Sequence, residues 1–116
     1  MSRHDPVVPL RHMLDYARVA VDMAAPRTRE DLDRERMFAL ALPQCVRVIG
    51  ATAGDTDPDM QARHPEIPWD EMVRMSNHLL EHYDVIDFDA LWDTVTTDLP
   101  PLIQQLERII AAEEAD

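Results

Sequence analysis

Only two glycines, Gly50 and Gly54, occur in the 116 residues of this chain. Tight hairpin turns draw on glycine to reach positive φ, so a many-stranded sheet is hard to build from such a sequence. The chain is rich in Ala, Leu, Met, Glu and Arg, which favours helix. The apolar residues repeat accordingly. Leu10, Met13, Leu14, Ala17, Val21 and Ala24 share one face of a helix that starts near Pro9 and ends at Pro26. Thr28, Glu30 and Asp31 read as a capped start for a short turn of helix or for the lead-in to the next one. A second long helix is expected from Asp33 to Ala53, with Met37, Leu40, Ala41, Cys45, Val48 and Ile49 as its stripe and a kink at Pro43.

Gly54 to Pro58 is a loop by composition, followed by a short helix from Asp59 to Arg63. His64-Pro65-Glu66-Ile67-Pro68-Trp69 is held extended by its prolines. Pro68 can then open a helix running to Tyr83, with Trp69, Met72, Val73, Ser76, Leu79, Leu80 and Tyr83 on one face. Asp87 is the expected cap of a last helix carrying Leu91, Trp92, Val95, Leu99, Leu102, Ile103, Leu106 and Ile110. Pro100-Pro101 must kink or interrupt it, and Ala111 to Asp116 reads as a frayed end. The pattern predicts one all-α domain over residues 1–116, a bundle of four to five main helices.

Charge narrows the partners. The chain carries 23 acidic and 11 basic residues, a net −12. Such a surface repels phosphates at long range, which argues against non-specific RNA or DNA binding. A local cationic pocket could still serve RNA, and a basic protein partner fits the charge better. Cys45 is the sole cysteine and lies in an apolar stretch, so no internal disulfide can form and a reducing compartment is expected. No apolar run reaches the length of a membrane span, and the first residues lack the apolar core of a signal peptide. Together these predict a cytoplasmic protein that keeps off membranes.

Some residues invite a chemical reading. His78-Leu79-Leu80-Glu81-His82 has the spacing of an inverted zinc-peptidase motif. Zinc catalysis also needs a third ligand and a larger fold around a cleft, so the plainer reading is two surface histidines, with no metal or other cofactor. Trp69 and Trp92 read as core residues, and Asp84, Asp87 and Asp89 as turn and cap residues. Cys45 reads as a small buried apolar group, since no cationic neighbour in sequence would activate it.

Four strings resemble a known family. They are Val46-Arg47-Val48-Ile49-Gly50, Arg63-His64-Pro65-Glu66-Ile67-Pro68-Trp69, Met75 to Tyr83 (MSNHLLEHY), and Leu91-Trp92-Asp93-Thr94-Val95 through Asp98-Leu99-Pro100. In order and spacing they resemble the HepT-like family of the HEPN superfamily. That resemblance implies a helical bundle that dimerises, here through the helices around Met72 to Tyr83. It also implies a metal-independent ribonuclease toxin, held in check by an MNT-type nucleotidyltransferase antitoxin. The family's signature Arg and His suit cleavage of RNA by its own 2′-hydroxyl. Histidine moves a proton near neutral pH, and arginine holds the phosphate as charge builds. Its Tyr, Tyr83 here, resembles the site that the partner modifies with AMP; taken by itself, Tyr83 reads equally as a core or interface aromatic with a bonded hydroxyl.

This chain departs from the signature. The Arg position holds Ser76, the His position holds Glu81, and the acidic residue after Ile-Gly is Ala51, while Asn77 and Tyr83 match. An anion at position 81 repels phosphate by on the order of 1 kcal/mol or more. Two readings follow. In one, the chain still cuts RNA through a shifted set, Arg74, Asn77, His78 and His82. In the other it is a non-catalytic module for dimerisation and for binding a partner or a nucleotide.

Overall fold

The computed structural model describes residues 5–82 and 84–115. Their principal extents are 47 × 28 × 27 Å, and every regular element among them is helical.

The first helix, α1, spans Val8–Ala24, with Pro9 in its first turn and Asp5 Oδ1 accepting from the Val7 amide at 2.9 Å. It buries Leu10, Met13, Leu14, Ala17, Ala20 and Ala24. The short helix α2, Asp31–Arg34, inverts the expected cap: the Asp31 carboxylate accepts from the Thr28 amide at 2.9 Å. Glu35 then turns extended (ψ 104°), so the second long helix starts three residues later than Asp33. This helix, α3, spans Arg36–Gly54 and continues as α-helix through Pro43.

The expected stripe on α3 needs correcting. Met37 is 81% and Leu40 62% exposed, while Phe38, Leu42, Val46 and Ala53 are buried beside Cys45 and Ile49. The buried arc is turned by about a third of a helical turn from the expected one. The cause is position. α3 is the central helix, packed on α1 along one side and on α5, introduced below, along another. A helix covered on two sides is apolar nearly all round, so periodicity cannot choose its inner face. The same fact makes α3 long and apolar enough, by length and composition, to cross a membrane, where the sequence reading found no such run.

The helix α4 spans Pro58–Arg63, capped by Asp57 Oδ1 on the Asp59 amide at 2.9 Å. The helix α5, Trp69–Glu81, stops at His82, short of the expected Tyr83. Tyr83 lies outside the described residues. The helix α6, Phe88–Asp93, has the expected cap, Asp87 Oδ1 accepting from the Ala90 amide at 3.1 Å.

The double proline is absorbed by a π-helical turn at Thr94–Asp98, with Pro100 and Pro101 in the first turn of α7, Leu99–Glu114. Proline rings crowd the carbonyls one turn back and supply no N–H. A wider turn relieves the crowding. The Leu99 amide reaches Thr94 O, and the hydroxyls of Thr94 and Thr96 donate to the carbonyls of Ala90 (2.9 Å) and Trp92 (2.8 Å). Val95 stays fully buried, so the apolar stripe crosses the interruption. α7 then packs back on α1, where Arg18 pairs with Glu107 and Arg11 with Glu114.

Candidate functional site

Two faces of α5 carry the residues of interest, and they do different work. The inner face meets α3. Ser76 is 6% exposed, and its hydroxyl donates to the Arg47 carbonyl at 2.8 Å. Opposite it stands Gly50. A Cβ there would lie 2.2 Å from the Met72 carbonyl oxygen and 2.4 Å from Ser76 Cβ. The helices therefore touch backbone to backbone, which only glycine permits. A small hydroxyl at 76 completes that contact and satisfies a carbonyl inside α3. Position 76, where the resemblance places an arginine, is in this chain a packing position.

The outer face is open. Arg74, Asn77, His78, Glu81 and His82 are all exposed. Arg74, His78 and His82 fall at successive spacings of four and so share one stripe. The rings of His78 and His82 lie 4.8 Å apart, tilted by 46°. Arg74 and His78 line a cleft of about 410 Å³ with Glu71, Met75, Leu79 and Asp87. Asn77 is displaced by about 100° around the helix from His78. Glu81 is open to solvent, its carboxylate 4.0 Å from His82 Nε2.

Acid surrounds this stripe. Glu71 and Asp87 share the cleft with Arg74, and Glu81 and Asp84 are exposed beside His82. Neither Arg11 nor Arg47 lines this cleft. Arg11 is bound to Glu114 on the α1–α7 side. Arg47 borders a separate cleft with Leu40, Pro43 and Ile86, and its Nε donates to Gln44 at 3.0 Å. Ala51, where the resemblance places an acidic residue, is exposed. Among the described residues, no three His, Cys, Asp or Glu side chains converge on a point that could hold a metal. Cys45 is buried, and burial pushes its thiol up, away from nucleophile chemistry.

The turn before α5 is fixed from α7. Glu113 accepts from His64 Nε2 at 2.8 Å and from the Arg63 guanidinium at 3.1 Å. The His64 hydrogen bond first, and Arg63 second, hold the Glu113 carboxyl below its ordinary value. Trp69 is buried, and its indole N–H donates to the His64 carbonyl at 3.0 Å. The string His64 to Trp69 thus anchors the start of α5 and sets its distance from α7. Trp92 is half-buried, edge-on to Phe38 at 6.5 Å.

Sequence reasoning gave Gly50, Glu71 and Met75 no place in the site, although Gly50 and Met75 fall in family-like strings. A lone glycine inside a long apolar helix is the one signal that was available, because such a residue usually marks a close approach. Glu71 and Met75 matter only through what faces them.

A model of the family described as Ribonuclease HepT-like matches residues 13–109. A Thermococcus cleftensis protein provisionally named ribonuclease HepT is 32% identical over 94 residues, covering 78% of this chain and 86% of its own length. A Methanocaldococcus jannaschii protein provisionally named an RNase is 25% identical over all 116 residues, 96% of its own length. Another protein of that organism, named for a gamma-glutamylcyclotransferase and an RNase, is 24% identical over 98% of this chain but only half of its own length. No solved structure matches. With its all-helical fold, its four family-like strings in register and a match across most of its length, this chain belongs to the Ribonuclease HepT-like family.

Proposed function

We propose that this chain is the HepT-like member of a toxin–antitoxin type pair whose ribonuclease site has been dismantled while the scaffold that displayed it is kept. Its role is then to bind a partner protein, an MNT-type nucleotidyltransferase by family resemblance, as a homodimer in the cytoplasm. The burial of Ser76 carries this reading. The residue at the family's arginine position points into α3 and holds an interior carbonyl. Glu81, at the histidine position, puts an anion on the surface where a proton carrier would face phosphate. An intact scaffold fits this reading: no buried side-chain nitrogen or oxygen among the described residues lacks a hydrogen-bond partner.

One observation favours a second reading. Arg74, His78 and His82 share a stripe, and two of them line a cleft. That set could hold a phosphate and move a proton one turn away from the family position. Its acidic surroundings weigh against it.

The two readings part in an RNA cleavage assay on purified protein with EDTA present, using total tRNA and mRNA. The expected result is no cleavage above buffer. Cleavage that disappears in the His78→Ala variant would replace the first reading with the second.

A further inference from the structure

α5 packs on α3 and barely touches the helices that follow it. A groove is left between α5 and the run formed by α6, the π turn and α7. It holds a cleft of about 350 Å³. The floor is apolar, built from Ile49, Met72, Met75, Leu99 and Leu102. The charged residues lining it are Glu66, Glu71 and Asp98; no Arg or His lines it, Arg74 sharing the neighbouring cleft with Glu71 instead. Glu66 stands 3.8 Å from His64, and among the described residues Glu71 and Asp98 form no ion pair. All three carboxylates are exposed at the rim.

We infer that this groove receives a basic amphipathic helix from a partner protein, with an apolar side chain in the cleft and Lys or Arg against Glu66, Glu71 and Asp98. The inference rests on the partner-binding reading above and says where, and by what chemistry, the partner is held. Sign selects the occupant. RNA would bring phosphates against three carboxylates, whereas Lys or Arg of a partner is drawn to them. A helix laid in a groove presents apolar anchors every three to four residues, and the apolar floor offers such an anchor a seat. Glu71 and Met75 also line the neighbouring cleft of Arg74 and His78. An occupant long enough to pass them therefore covers the outer stripe of α5 as well.

The test is fluorescence anisotropy with a labelled Leu/Lys peptide of about 14 residues, patterned as an amphipathic helix. A Leu/Glu peptide of equal length is the comparison. The expected result is that only the basic peptide binds, and that Glu71→Lys with Asp98→Lys weakens it by about tenfold or more. Asp15→Lys with Asp22→Lys changes the net charge equally on the exposed side of α1, away from the groove. That pair should weaken binding by no more than about twofold. Unchanged circular dichroism and melting in all variants guard against misfolding. Equal loss in both double variants would reduce the effect to overall charge and overturn the proposal. So would equal binding of the acidic peptide, or no binding at all. A sedimentation mass that shifts only in the Glu71/Asp98 variant would identify the occupant as a second copy and overturn it too. RNA cleavage by the wild type would instead sink the non-cleaving reading, with the peptide result standing apart from it.

Discussion

The two faces of α5 obey opposite rules. Toward α3, Ser76 and Met72 press on Gly50 so closely that a single added carbon collides with backbone. Toward solvent, Arg74, His78, Glu81 and His82 touch little besides one another. The inner face fixes how the helices cross, and its residues are answerable to packing. The outer face is free to change chemistry at almost no cost to the fold. In this chain, position 76 belongs to the inner face and position 81 to the outer. On the proposed reading, the two positions of the signature answer to different physics: 76 to packing, 81 to an open surface.

The sharpest way to break this contrast is Gly50→Ala. The new methyl meets the Met72 carbonyl, which cannot swing aside as a side chain would, so α3 and α5 must part. The expected loss of unfolding free energy is about 3 kcal/mol, read by urea denaturation. A loss near zero would mean that the crossing is loose and the contrast false. Next in size is Ser76→Ala. It removes the donor to the Arg47 carbonyl inside a buried contact and should cost about 1 kcal/mol. Ser76→Arg should cost more than Ser76→Ala, because its longer side chain must escape the same space; equal stability would show that an arginine fits there after all.

The clamp between α7 and the turn before α5 gives a smaller, pH-dependent effect. The folded-state value of Glu113 is depressed, chiefly by His64 and then by Arg63. Its contribution is therefore complete above its ordinary value of 4.5 and is lost as pH falls below that, through the depressed folded value. Melting temperature should drop on acidification below that value, and less steeply in Glu113→Gln. Parallel profiles for wild type and variant would remove Glu113 as the cause. The smallest effect belongs to the outer face. His78→Ala and His82→Ala should each change stability by no more than about 0.5 kcal/mol, since both side chains are exposed. A larger loss in either would show that the outer stripe is structural.

Much of the fold was legible in the chain. The face of α1, the Asp87 cap and the apolar stripe running from Leu91 to Ile110 follow from spacing that any helix must obey. The rest failed for identifiable reasons. On α3 the sequence favoured Met37 and Leu40, because a helix apolar on several sides has no unique stripe. At Pro100-Pro101 it required an interruption but could not choose its kind. The backbone took a π turn, whose wider spacing relieves the crowding by the proline rings.

The candidate site divides the same way. The sequence by itself determined the helical class, the family strings and that Ser76 and Glu81 stand where the resemblance places Arg and His, since these rest on residue identity and spacing along one chain. It also placed Arg74, His78 and His82 at intervals that must share a face. Only the tertiary structure decided that Ser76 is a packing residue, that Gly50 is the point of closest approach, and that Glu66, Glu71 and Asp98 converge around one apolar cleft. Those facts join residues from helices far apart in the chain, and local spacing carries no record of which distant helix will lie opposite.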